Sequence, residues 1–213
     1  MTAGVGEHKG ADMAIVPAPG GSGAPALGEP LPVEFGNTRY AVRGTRGGVH
    51  DALDTPETLT AWIAEHEAEF PEGVASAALG GLRPGDLPRF VALRDAIRTV
   101  SRNAADGTEP DPAAIATINQ AAGAAPRIPR LRLEPDGTLT AIKCADAHPL
   151  AALSTLAADA IMLFGSAERD LLRACGGPGC VLFYVQNHPR RGWCSAGCGN
   201  RARVARHHER HKG

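Results

Sequence analysis

Apolar positions recur at helical spacing in three stretches of the chain. Leu59, Trp62, Ile63, His66 and Phe70 share one face of a helix, with Thr55 as capping hydroxyl and Pro56 at the first helical position. His66 on that face reads as a core-edge histidine. Phe90, Leu93, Ile97 and Val100 form the inward stripe of a second helix that Asp86 can cap, with Arg94 and Arg98 beside the stripe. Asp111-Pro112 opens a third helix carrying Ile115 and Ile118. The period then changes. Polar and apolar residues alternate on both sides of Pro135-Asp136-Gly137, which predicts a β-hairpin from Ile128 to Ile142. A long Ala/Leu helix follows over 148–164 and breaks at Gly165-Ser166, where Ser166 can cap a short helix leading to Cys175. Val181 to Val185 reads as a strand, and Ser195 stands where the N-cap of a final helix belongs, so Cys198 falls in its first turn. The first thirty residues, rich in Gly, Ala and Pro without a sustained period, read as a flexible tail.

The last segment carries the chemistry. Cys175 and Cys180 flank Gly176, Gly177, Pro178 and Gly179, a turn-forming stretch that lets both sulfurs point one way, and Cys194 and Cys198 form a second close pair. Four thiolates converging on one ion suit tetrahedral Zn²⁺ and leave no open position for catalysis, so a single structural zinc is expected. The competing reading, two disulfides, needs an oxidising compartment. The N-terminus shows no basic segment followed by an apolar core of signal-peptide length, and no run of 18 apolar residues occurs, so a cytoplasmic protein without a membrane span is expected. Trp193 is placed to cover the metal site. Cys144, in an alternating stretch, reads as a small buried hydrophobe with no further role. The expected fold is mainly α with a small β-hairpin (α+β): a tail over 1–30, a helical domain over 31–172, and a treble-clef-like zinc finger over 173–213.

These residues carry a family resemblance. The segment Trp193 to Arg201, WCSAGCGNR, preceded by the Cys175/Cys180 pair and the apolar VLFYV, resembles the CGNR zinc finger of bacterial proteins, named for the motif that here is Cys198-Gly199-Asn200-Arg201. In that family a helical ABATE domain precedes the finger, and Asn37-Thr38, Asp51 to Leu53, Trp62 and the helix around Arg94 resemble its pattern. The similarity runs from about residue 31 to the C-terminus. The chain departs from the family pattern at Pro189, at Gly192 inserted before Trp193, and at Ala196-Gly197. The resemblance implies a transcription regulator acting on DNA.

Charge sharpens this. From Arg173 onward there are eight Lys or Arg and one acidic residue, a formal +7, whereas the residues before it carry a formal −8, so the overall −1 hides a polar split. Zinc with four thiolates would lower the finger to roughly +5, still basic enough for a polyanion. At about 100° per residue, Arg203, Arg206 and Arg210 share one broad face of the final helix, and Cys198, Arg201, Val204, Ala205 and His208 lie on the other. The first face is available for phosphates or base edges, and Arg190 and Arg191 add charge just before the second cysteine pair. Arg201 either braces the zinc site or reaches a phosphate, and Asn200 either reads a base edge or caps local backbone. His207, His208 and His211 read as a polar helix end. A protein-docking module, whose arginines meet an acidic partner instead of DNA, is the competing class. No catalytic constellation is visible, and no enzyme is expected. Asn37, Asp51 and Arg94 are candidates for a cleft in the helical domain that senses a small-molecule effector or a partner. A homodimer would suit paired half-sites, but no self-complementary surface is identifiable in the sequence.

Overall fold

The computed structural model describes residues 21–42, 48–126, 128–144 and 148–211. In chain order the elements are α1 (Leu31–Gly36), β1 (Arg39–Ala41), β2 (Val49–Asp51), α2 (Pro56–Glu65), α3 (Val74–Gly81), α4 (Leu87–Asp106), α5 (Pro112–Ala122), β3 (Ile128–Leu133), β4 (Leu139–Cys144), α6 (Ala151–Phe164), β5 (Leu172–Ala174), β6 (Phe183–Val185) and α7 (Ala196–Arg210). The strands pair antiparallel as three separate two-stranded sheets, β1-β2, β3-β4 and β5-β6. The fold is therefore mainly helical with small sheets.

Local chemistry explains most boundaries. The Thr55 hydroxyl accepts the Thr58 N–H while the Thr58 hydroxyl accepts the Thr55 N–H, a reciprocal capping box at the start of α2. Asp111 caps α5 by accepting the Ala113 N–H at 2.8 Å. Asp86 behaves otherwise. Its carboxylate accepts the Arg83 N–H at 2.9 Å, closing the 3₁₀ turn Pro84–Asp86 ahead of α4 instead of capping α4. The expected helix from 148 begins at Ala151, because His148 Nδ1 accepts the Leu150 N–H and forms a turn first. The strand expected from Val181 is confined to Phe183–Val185.

The 20-residue α4 is the axis of the helical part, with α1, α5, α6 and β5 packed around it. Phe90, Leu93 and Ile97 of its predicted stripe are fully buried with Phe35, Trp62, Ile63, Leu153 and Leu156. Each such side chain contributes about 1.5–3 kcal/mol relative to exposure. The Phe35 and Trp62 ring centroids lie 5.0 Å apart, and His66 stacks on Trp62 at the core edge while its Nδ1 meets the Trp62 carbonyl. In the third predicted helix Ile118 is buried, whereas Ile115 remains 41 % exposed. At Gly81 a Cβ would stand 2.4 Å from Pro149 Cγ, so glycine permits the end of α3 to meet the approach to α6.

Two further features differ from the sequence reading. The expected tail of residues 1–30 falls partly outside the described residues, but Ser22 to Glu29 is fixed to the rest of the chain. Ser22 donates its N–H to Glu65 Oε1 at 2.8 Å, and Glu34 Oε1 accepts the N–H groups of Leu27 and Glu29 at 2.8 and 2.7 Å. One of these carboxylates lies 43 residues along the chain and the other within seven, and neither contact belongs to a periodic pattern. The second feature is how closely β5-β6 joins the helices. Phe183 packs with Val33, Leu163, Leu172 and Val185, under the guanidinium groups of Arg98 and Arg102 at 5.3 and 5.0 Å from its ring centroid.

Candidate metal centre and its basic helix

The four cysteines converge from three local devices. Cys175 follows β5 and donates its N–H to the Leu182 carbonyl, and the Cys180 N–H returns to the Gly177 carbonyl at 2.9 Å, so a tight knuckle turns between β5 and β6. Gly179 sits there at a left-handed φ of 71°. A Cβ on Gly177 would stand 3.0 Å from Cys198 Cβ and 3.2 Å from its sulfur, so the knuckle's glycine makes room for the opposing ligand. Cys194 lies in the loop before α7. Ser195 caps that helix by accepting the Cys198 N–H at 3.3 Å, which sets Cys198 in the first turn facing the knuckle. Trp193 lies over Gly199, where a Cβ would stand 2.9 Å from Trp193 Cδ1, and thereby shields the cluster.

The sulfurs of Cys175, Cys180, Cys194 and Cys198 all lie within 4.8 Å of one another. Cys180 to Cys194 is 3.8 Å and Cys194 to Cys198 is 3.4 Å. A tetrahedron with Zn–S distances near 2.3 Å has edges of about 3.8 Å, so the donor set fits one structural zinc. The charge balance agrees. Hydrogen bonds from Cys180 and Cys194 pull the Cys175 thiol far below the usual thiol range, while the bond to Cys175 pushes Cys180 up to about 12 and pushes Cys194 up as well. Thiols this crowded do not all ionise unless a cation stands among them, which couples metal binding to proton release. A bound zinc would tie the knuckle to α7, and its closed sulfur set leaves no position for chemistry. The knuckle, its flanking hairpin and the ligand-donating helix make a treble-clef-like finger.

The arginines divide by geometry. Arg201 donates from Nη2 to the Cys198 sulfur at 2.8 Å, so it braces the cluster from outside. Arg191 is also engaged inward. It pairs with the buried Glu29, donates to the carbonyls of Val185 at 3.0 Å and Cys194 at 3.3 Å, and lies 4.9 Å from the Tyr184 ring centroid. Glu29 Oε2 meanwhile accepts the Val185 N–H at 2.9 Å. Arg203, Arg206 and Arg210 are exposed, as are Arg190 and Asn200, and Asn200 Oδ1 accepts from Arg203 Nη2. The face expected to turn inward is narrower than the helical wheel suggested. Cys198, Gly199 and Ala202 are buried, but Val204 is 56 % exposed and His208 is exposed, because α7 runs past the body of the finger after two turns. His207 and His211 meet through their Nε2 atoms at 3.0 Å on this projecting end.

Of the three candidates for a ligand cleft, Asn37 and Arg94 are buried, and Asp51 pairs with Arg94. Asn37 is fully buried and exchanges two hydrogen bonds of 2.9 Å with the Phe183 backbone, one in each direction. Arg94, 1 % exposed, pairs with Asp51 and with Asp95. The polar groups of Asn37 and Arg94 are engaged within the fold, while the Asp51 side chain stays 37 % exposed. A cavity of about 200 Å³ lies elsewhere, lined mainly by apolar residues including Val100, Ile115, Ile118, Ile161 and Phe164. Arg98 is a functional neighbour that the stripe pattern placed without a role. It donates to the carbonyls of Gly36 at 2.7 Å and Val181 at 3.0 Å, bridging the helical part and the finger. Burial and the charges of Arg39, Arg94 and Arg102 lower it to about 10, which keeps it charged at neutral pH. Cys144 has a strand position in β4, but its side chain lies outside the described residues.

This architecture, a helical domain carrying a four-sulfur finger with a projecting basic helix, is that of a zinc-finger protein. Residues 29–167 match the family model ABATE, described as "putative stress-induced transcription regulator", and residues 172–211 match the CGNR zinc finger. The chain belongs to the ABATE family and ends in a CGNR zinc finger. Neither is an enzyme family. No curated protein matches the chain. Among the described residues no helix is long and apolar enough to cross a membrane.

Proposed function

We propose that the protein is a transcription regulator that binds duplex DNA through the outer face of α7. One observation carries the reading: Arg203, Arg206 and Arg210 stand exposed on a helix that leaves the zinc cluster after two turns, with Glu209 as the single acidic residue between Ala196 and Arg210. Such a helix presents guanidinium groups without self-neutralising ion pairs, and an exposed helix of this width fits a major groove. Arg190, exposed in the loop before Cys194, extends the charge. Asn200 acts on this reading by holding Arg203. Arg191 and Arg201 are assigned to the finger's framework instead of the interface.

Exposed Val204 amid the arginines favours one alternative, docking into an acidic protein groove with an apolar floor. Fluorescence anisotropy on random duplex DNA at low salt separates the two. The wild-type chain binds. The triple variant Arg203→Ala, Arg206→Ala, Arg210→Ala keeps its zinc and fold, and its log-log salt slope falls by roughly 1 per phosphate contact removed. Equal binding by the triple variant at the same salt would refute the DNA reading and leave protein docking in its place.

A further inference from the structure

The hairpin β3-β4 is the one sheet of the described residues that stands away from both the helical core and the finger. Its strands pack chiefly on each other, and all six residues of β3 are exposed. The register pairs Leu131 with Ala141 and Leu133 with Leu139, and residues directly opposed in an antiparallel pair share a face. Pro129, Leu131, Leu133, Leu139 and Ala141 therefore share one apolar face, with Lys143, the register partner of Pro129, at its end far from the turn. On the opposite face Arg132 and Thr140 are cross-strand partners, and both donate to Glu134, at 2.8 and 2.6 Å. That trio makes this face the more polar one, although Ile128 on it is 55 % exposed. The other leaves Leu131, Leu133 and Leu139 exposed at 74, 69 and 65 %.

A two-stranded hairpin by itself is marginally stable in water and is normally secured by packing its apolar face. An exposed apolar patch of roughly a few hundred Å² marks an interaction surface. We propose that this face is the interface of a homodimer, packed against the same face of a second copy across a two-fold axis.

Three considerations select a second copy. Three exposed leucines dominate the face, and its single charged position, Lys143, lies at the end far from the turn, so its complement is chiefly apolar, and a second copy of the face supplies that chemistry, shape and size. A two-fold contact also counts the patch twice, which brings the buried total toward the roughly 1,000 Å² that a specific interface needs; docked on an unrelated convex surface, a hairpin this small falls further short. Finally, the formal net charge, −1 before metal binding and roughly −3 with zinc on four thiolates, is small enough for two copies to approach without strong long-range repulsion. A dimer would carry two basic helices toward paired half-sites, a consequence that rests on the DNA reading. The interface itself does not depend on that reading.

Sedimentation equilibrium of the full zinc-loaded chain tests the proposal without DNA. The expected mass in the micromolar range is twice that of the chain. Leu131→Asp places like charges against each other across the two-fold axis and raises the dimer dissociation constant about a hundredfold or more, with zinc content and the far-UV circular dichroism unchanged. As a second variant, residues 128–144 are replaced by a short Gly-Ser link, which yields a folded monomer. A wild-type chain that is monomeric throughout that range overturns the proposal, as does a dimer that survives the replacement. A chain lacking residues 1–20 remains dimeric. If it dimerises where the wild type does not, the apolar face is covered from within by that segment, and the proposal fails.

Discussion

The arginines of the finger are alike in sequence and unlike in place. Arg201 reaches the Cys198 sulfur and Arg191 reaches Glu29, whereas Arg203 and its companions face solvent. A hydrogen bond to a ligating sulfur tunes the site as other outer-shell contacts do, so Arg201→Ala is expected to cost about 10- to 100-fold in zinc affinity. Competition with a chromophoric chelator measures it, and an unchanged affinity would return Arg201 to the candidate interface. Asn37 makes an independent case. Truncation to Ala leaves the buried N–H and carbonyl of Phe183 without their partners, at about 1–3 kcal/mol for each unsatisfied group. Urea unfolding of Asn37→Ala should show that loss as a lower midpoint. Neither role is legible at the residue level, because the helical wheel leaves Arg201 either bracing the zinc site or reaching a phosphate, and the partner of Asn37 lies 146 residues away.

At the scale of elements, strong local signals translated directly. The capping box of α2, the Asp111 cap of α5, the Asp-Gly turn of the β3-β4 hairpin and the stripe of α4 all rest on contacts within a few residues. The short elements α1, α3, β1, β2 and β5 leave no pattern in the sequence, since three to eight residues supply too few positions to establish a period. One pair of elements gives a pH prediction. Burial pushes the Asp51 carboxyl up, but the Arg94 hydrogen bond, the Leu53 N–H and the charges of Arg94 and Arg39 outweigh it and hold the group below the usual aspartate range. A carboxyl lowered in the folded state contributes stability that is complete above its unfolded value of about 3.9 and is lost as pH falls through the lower folded value. Thermal midpoints of the wild type and Asp51→Asn should therefore differ near neutrality and converge in acid. A constant gap across that range would show that the ion pair is not its source.

For the whole molecule, the finger and the helical part are joined through packing as well as through the chain. Phe183 lies beneath Arg98 and Arg102 of α4, while Tyr40 and Ala52 pack in the same cluster as the cysteines. Structural zinc contributes on the order of 10 kcal/mol to small modules, so its removal should be felt beyond the finger. Trp193 and Trp62 report the two regions separately, one against the metal cluster and the other 1 % exposed in the helical core. Chelation should first change the Trp193 emission and then lower the temperature at which Trp62 becomes exposed. Variants keeping a single tryptophan resolve the two signals, and an unshifted Trp62 transition would mean that the parts unfold independently. By itself the sequence determined the helical class, the main helices, the hairpin, the four cysteines and the basic C-terminal helix, because spacing, caps and paired ligands act over short stretches of chain. Only the tertiary structure decided which arginines brace and which are exposed, that Asn37 and Arg94 spend their polar groups on structure, that Ser22 to Glu29 is tied down, and that the hairpin keeps an uncovered apolar face. Those outcomes depend on which buried donors find acceptors across the fold, and such pairings between distant segments leave no periodic trace along the chain.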